Sequence, residues 1–193
     1  RWLSDWSSDV CSSDLYPLLR LKSVDLPPEE PENFSEYAGG NGSAYHPYLI
    51  STKSQLANIA LNLQANYRLT DDLVFTAEDF AVNGNFYNSG TGWQPIGSVE
   101  QPFRGTFGGD GHSIRGLFQD QDLAAGTIAN LGLFGCNLGN ISNLRLLDCQ
   151  ISMKGSESAN VGSIAGLNDG LIYGCCSTGA ISGIKNVGGI AGL

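Results

Sequence analysis

The side chains able to do chemistry are few, and their spacing assigns them little. Cysteines stand at Cys11, Cys136, Cys149, Cys175 and Cys176. The last four are separated by 13, 26 and 1 positions, a spacing that matches no zinc signature. Adjacent residues such as Cys175 and Cys176 face opposite sides of a strand and do not chelate together easily. Cys149 and Cys175 are expected to serve as small apolar side chains inside the fold. The competing reading is a disulfide between neighbouring strands in an oxidising compartment. His46 precedes Pro47 in a turn, and His112 follows the turn Gly108-Gly109-Asp110-Gly111. Nucleophilic catalysis of the Ser-His-Asp kind needs a histidine between a nucleophile and an orienting carboxylate. Nothing in the sequence places such partners together with either histidine, so both are expected to pack or face solvent.

Carboxylates pair at Asp71/Asp72, Glu78/Asp79 and Asp120/Asp122. Glycan hydrolysis requires two of them about 5–10 Å apart across a cleft. Adjacent Asp71 and Asp72 diverge if they sit on a strand. Asp120 and Asp122 can share a face but are expected in a polar linker. A calcium-binding nonapeptide series is absent, since GGDG occurs once. Solvated loop charge is therefore expected for all three pairs. Phe86, Tyr87 and Trp93 are aromatic enough to stack on sugars, yet are expected at core or corner positions. No catalytic, cofactor-binding or metal-binding residue is assigned, and no cofactor is expected.

The composition sharpens these exclusions. In 193 residues, charged side chains make up 15%, hydrophobic ones 41%, and the formal net charge is −9. An acidic chain with ten scattered Lys and Arg is a poor nucleic-acid ligand. Its apolar content is too high for general disorder. It also has no run of 18 apolar residues, so no membrane-spanning helix is expected.

Residues 1–15 differ in character from the rest. Ser7 to Leu15 (SSDVCSSDL) resembles the translation of a common sequencing-adapter oligonucleotide. On that basis residues 1–15 are expected to be an artefact, and Trp2, Trp6 and Cys11 to carry no role. Met153 is the only methionine and the closing NVGGIAGL stops inside a recurring pattern, so both ends are expected to be cut. Residues 16–38 hold Pro27, Pro28 and Pro31 among Glu29, Glu30 and Glu32, which predicts an extended, solvated linker. All 26 glycines follow, beginning at Gly39.

Residues 39–125 are expected to form an N-terminal cap and the first strands. Tyr48 to Ile50 reads as a short strand. Thr52-x-x-Gln55 fits a capping box, and Leu56, Ile59, Ala60 and Leu63 then line one helical face, predicting a helix over 53–65. Strand character returns at Tyr67 to Phe75. A polar loop is expected over 76–92, and two strands joined by a tight turn over 103–118. Residues 126–193 repeat. Asn130, Asn160 and Asn186 each open an N-x-G element, at spacings of 30 and 26, and Gly139-Asn140-Ile141 recurs as Gly170-Leu171-Ile172. Frequent glycines oppose helix. Short strands at a fixed period predict a parallel β-solenoid whose interior stacks Ile141 on Ile172 and Leu144 on Cys175. Ile151 matches Ile181 at 30 rather than 31 positions, so a one-residue deletion is expected near Thr178 and Gly179.

Pro47 to Leu56 (PYLISTKSQL), Trp93 to Gly97 (WQPIG), Pro102 to Leu117 (PFRGTFGGDGHSIRGL) and the NVGGIAG repeats together resemble the GLUG-motif family of bacterial extracellular repeat proteins. The resemblance spans roughly residues 39–193. It implies an all-β fold, a right-handed parallel β-helix of pectin-lyase-like type, with the one helix capping its N-terminal end. It further implies a secreted or cell-surface protein with an adhesin-like or stalk role, bound to an extracellular glycan or protein ligand. No shared catalytic residue comes with it. The six charged residues of 126–193 are too dispersed to line a lyase groove, so a non-catalytic role is expected. The alternative is a fragment of a β-helix glycan-active enzyme whose active site lies outside this chain.

Overall fold

The computed structural model describes residues 36–155 and 158–193. The segment 1–15, most of the 16–38 linker and Glu157 lie outside the described residues. Tyr37 lies within them and is 3% exposed, its ring stacked on Tyr48 with centroids 4.2 Å apart. The change of composition at Gly39 is thus not a packing boundary.

Strand β1 (Tyr48–Ile50) leads into helix α1 (Lys53–Asn58), followed by a 3-10 turn, Ile59–Leu61. The capping box forms as expected: Gln55 N–H donates to Thr52 Oγ1 at 3.2 Å, and Thr52 N–H to Gln55 Oε1 at 3.2 Å. Leu56 and Ile59 are fully buried, Leu63 half-buried, and Ala60 exposed. The helix is shorter than the 53–65 that its apolar spacing predicts. The cause is tertiary. Leu63 C=O accepts Arg104 N–H at 2.8 Å, and Asn62 C=O accepts the Tyr67 hydroxyl at 2.6 Å. Carbonyls that a longer helix would leave unsatisfied at its C-terminus are claimed by other parts of the chain.

The remaining strands are β2 (Asn66–Leu69), β3 (Leu73–Val74), β4 (Thr106–Gly108), β5 (Ser113–Arg115), β6 (Phe118–Asp122), β7 (Ala129–Leu131), β8 (Phe134–Asn137), β9 (Asn140–Ser142), β10 (Arg145–Lys154), β11 (Ala159–Gly162), β12 (Ala165–Asn168), β13 (Leu171–Tyr173), β14 (Cys176–Ser182) and β15 (Val187–Gly188). They make four sheets. One runs β1-β2-β4-β9-β13 and a second β3-β5-β10-β14, with β6 also beside β10; the others are β7-β11-β15 and β8-β12. Every pairing between these strands is parallel. The strands β7, β8, β9 and β10 lie under β11, β12, β13 and β14 in the same sequence, so two successive passes of the chain visit the four sheets in one fixed order.

Registered pairing stacks the core side chains in columns. Tyr48, Tyr67, Phe107, Ile141 and Ile172 form one, and Leu73, Ile114 and Leu146 another. Tyr67, Phe107, Ile114, Ile141 and Leu146 are each at most 1% exposed. Ile172 and Cys175 are only half-buried, against the expectation of full burial, and Ile181 is half-buried as well. They lie on β13, β14 and their junction, which have a strand neighbour on one side only among the described residues.

Glycine is required where the passes touch. A Cβ on Gly105 would lie 1.7 Å from Ala65 O, and one on Gly139 2.2 Å from Gly105 O. A Cβ on Gly170 would likewise lie 2.2 Å from Gly139 O. Each of these glycines precedes the strand that carries Phe107, Ile141 or Ile172.

The register also slips where the sequence predicts. Leu146 pairs with Ser177, but Cys149 pairs with Gly179, leaving an extra residue on β10 opposite Thr178. Asp148 absorbs it with φ +52.

Residues 106–115 form two strands around a turn as expected, and because β4 and β5 belong to different sheets the turn is a corner. Two local expectations need correction. Asp120 and Asp122 lie on β6, held there by pairing with β10, and not in a linker. Asp71 and Asp72 sit in the break between β2 and β3 and not on a strand.

Candidate functional site

The fold separates most of the residues singled out for chemistry. Cys136, Cys149, Cys175 and Cys176 are all free thiols. Cys149 is fully buried, and its Sγ donates to Thr178 C=O at 3.3 Å. Cys175 stands beside Leu144, whose carbonyl accepts Cys176 N–H at 3.0 Å. Parallel registration therefore puts Cys175 five positions away from Cys149 along β10, and the disulfide reading is not realised. Burial pushes the thiol pKa values of Cys149 and Cys175 up. Both act as small apolar residues packed in or against the core.

His46 is exposed in its turn, with its N–H donated to Ser43 Oγ at 3.1 Å. His112 is brought within 3.6 Å of Asp72, Nδ1 to Oδ1, a proximity invisible across 40 positions of sequence. Asp72 also accepts Ser113 N–H at 2.7 Å, which holds its carboxyl below the usual carboxylate range. The pair secures the corner before β5.

The carboxylates are dispersed into separate ion pairs. Asp79 accepts Thr76 N–H at 2.7 Å, closing a one-turn 3-10 helix, and pairs with Lys53 at 2.6 Å. Burial raises the Asp79 pKa, but the Lys53 ammonium and the Thr76 N–H outweigh it and hold the carboxyl below its ordinary value. Asp120 pairs with Lys154 at 3.0 Å, Arg68 with Asp110 at 3.5 Å, and Arg115 with Asp148. Each joins neighbouring passes of the chain. No group of three or more His, Cys, Asp or Glu among the described residues is placed to hold a metal ion.

Among the aromatics, Trp93 is fully buried and donates its indole N–H to Leu133 C=O at 3.1 Å. It meets Phe75 edge-on, with ring centroids 5.7 Å apart, and Phe86 packs on both. These are core contacts, as expected. Sequence reasoning missed a different aromatic group, Phe75, Phe80 and Phe118. With Gly116, Asp148 and Gln150 they line a cavity of about 420 Å³. A second cavity of about 520 Å³ is lined by Gln94, Gln101 and Gln121 around Leu63, Val99 and Ile128. No sequence signal joins either set, because each is gathered from separate segments 20 or more positions apart.

No family model matches the chain. It is 31% identical over 161 residues to halomucin of Haloquadratum walsbyi, a match covering 79% of this chain and 2% of that protein. It is 33% identical over 138 residues to a provisionally named Gly-rich membrane protein of Evansella cellulosilytica, covering 72% of this chain and 15% of the relative. The chain thus spans a small part of the length of these curated relatives. Among solved structures, a protein from Bacteroides ovatus provisionally described as an immunoglobulin A1 protease shares the fold. Its TM-score is 0.52 at 23% identity, over 75% of this chain and 41% of that one. No helix among the described residues is long and apolar enough to cross a membrane.

Proposed function

We propose that this chain is a structural and binding segment of a secreted or cell-surface bacterial protein, adhesin-like and non-catalytic. Its parallel sheets are those of a right-handed β-helix of GLUG type, with α1 closing the N-terminal end. One observation carries the proposal: successive passes repeat the same strand order in register, with glycine columns at the contacts and asparagine ladders beside them. Asn160 Nδ2 donates to Asn130 Oδ1 and Asn186 Nδ2 to Asn160 Oδ1, each at 2.7 Å. Such a unit extends by adding passes, each contacting only its neighbours, which suits a rod that carries or displays other surfaces.

Two further facts support it. The relatives that share its sequence are very much longer than this chain and include halomucin and a Gly-rich membrane protein. The ion pairs also hold separate passes together and do not converge in one groove. Capping by α1 rests on the burial of Leu56 and Ile59 against the first strand. The test is antibody labelling of the source cells with serum raised against residues 36–193. Labelling of intact cells, removed by external protease, is the expected result. Labelling only after permeabilisation overturns the surface assignment. Release of reducing ends from a polysaccharide panel by the purified chain overturns the non-catalytic one.

A further inference from the structure

The geometry assigns the cavity between Phe75, Phe80 and Phe118 and the slipped segment of β10 as a binding site for a single pyranose ring of a neutral saccharide. The register slip builds its rim. A regular strand would alternate Leu147 and Asp148 across the sheet. The extra residue instead places Asp148 at φ +52, an uncommon conformation for a residue other than glycine, with its N–H donated to Thr178 Oγ1 at 3.0 Å. Its carboxylate is left exposed and is oriented by the Arg115 guanidinium from the preceding pass. Two positions on, Gln150 pairs with Phe118. Gln150 is exposed and lines the edge of the cavity.

Gly116, with φ +75, lets its pass lie close against Phe75, since an added Cβ would sit 2.5 Å from Phe75 O. The walls are aromatic: Phe80 lies 5.5 Å from both Phe75 and Phe118, centroid to centroid. About 420 Å³ lies near the lower end of the roughly 300–1,000 Å³ of small-molecule sites. A pyranose has an apolar C–H face for the rings and equatorial hydroxyls for the rim. A carboxylate accepts from adjacent hydroxyls, while a carboxamide both donates and accepts.

The surroundings disfavour other ligands. Asp148 is already neutralised by Arg115, which leaves a cationic ligand no unpaired carboxylate at the rim. A wholly apolar ligand would desolvate Asp148 and Gln150 without giving them hydrogen bonds. This assignment goes beyond the scaffold role and stands or falls separately from it.

Saturation-transfer NMR on the full chain tests it. The probes are the methyl glycosides of glucose, mannose, galactose and xylose, with tetramethylammonium and N-acetylphenylalaninamide as rivals. At least one glycoside should saturate with Kd of about 1 mM, as expected for a ligand of this size, with strongest transfer to ring C–H protons. Phe118→Ala should abolish binding. Gln150→Ala, an exposed change that keeps the thermal melt, should weaken it about tenfold, the loss expected of one hydrogen bond. Gln101→Ala, in the other cavity, should leave it unchanged. The assignment is overturned if no glycoside saturates, if Gln150→Ala binds as the parent does, or if a rival probe binds in their place.

Discussion

The most direct test of the stacked interior is the pair Ile141→Ala and Ile172→Ala. The two residues are register partners, carry the same side chain, and follow equivalent glycines. They differ in that Ile141 is 0% exposed between Phe107 and Ile172, while Ile172 is half-buried with one strand neighbour. Truncating isoleucine to alanine removes three carbons, about 0.8 kcal/mol each in transfer energy, or roughly 2.4 kcal/mol in all. At Ile141 the space is enclosed by registered neighbours, and the cavity left behind adds about 1 kcal/mol, for a total of about 3–4 kcal/mol. At Ile172 about half the transfer energy applies and solvent fills the gap, so about 1 kcal/mol is expected. Urea unfolding followed by far-UV circular dichroism, under reducing conditions, measures both. A loss below about 1 kcal/mol at Ile141, or an equal or larger loss at Ile172, would refute the column and the stacking inferred from it.

At α1, Leu56→Asp should cost several kcal/mol by burying an unpaired charge, whereas Leu61→Asp, at a residue 70% exposed, should shift the thermal melt little. Gly105→Ala should lower stability by more than about 2 kcal/mol, because the new Cβ would lie 1.7 Å from Ala65 O. Gly111→Ala, with open space around its Cβ, should cost about 1 kcal/mol from its positive φ alone; equal losses in chemical denaturation would show that the close approach is not what selects glycine. Asp72 and Asp79 have folded pKa values below their unfolded ones, so their contribution to stability is present above the unfolded value and lost as pH falls through the folded values. Melting temperatures should therefore drop below about pH 4, less steeply in Asp79→Asn; an unchanged acid slope in that variant would exclude the Lys53 pair as a source.

Much of the strand framework was legible because it is periodic. The recurrence of Gly139-Asn140-Ile141 at Gly170-Leu171-Ile172 placed the strands, and the 30-versus-31 mismatch placed the slip beside Thr178. Both follow from parallel pairing, which copies sequence spacing directly into register. The capping box at Thr52 was legible for a similar reason, since its donors and acceptors lie within four positions. The helix's length was not, because the carbonyls of Asn62 and Leu63 accept hydrogen bonds from Tyr67 and Arg104, the latter 41 positions beyond. The packing of Tyr37 was not legible either: it falls in a segment read from its proline and glutamate content, yet its ring stacks on Tyr48.

The sequence by itself determined which residues recur, which of them are small enough for passes to touch, and that charge is too sparse in 126–193 to be gathered by local spacing. Tertiary structure decided what meets what across the passes. It set Asp72 beside His112 and Lys53 beside Asp79, and it grouped Phe75, Phe80 and Phe118 opposite Asp148 and Gln150. The physical reason is one of range. Backbone sterics and pairing register act over a few residues or one fixed period and leave a mark in composition and spacing. Contacts between sheets at a corner join residues far apart in sequence with no common period, so their partners are set only when the core closes.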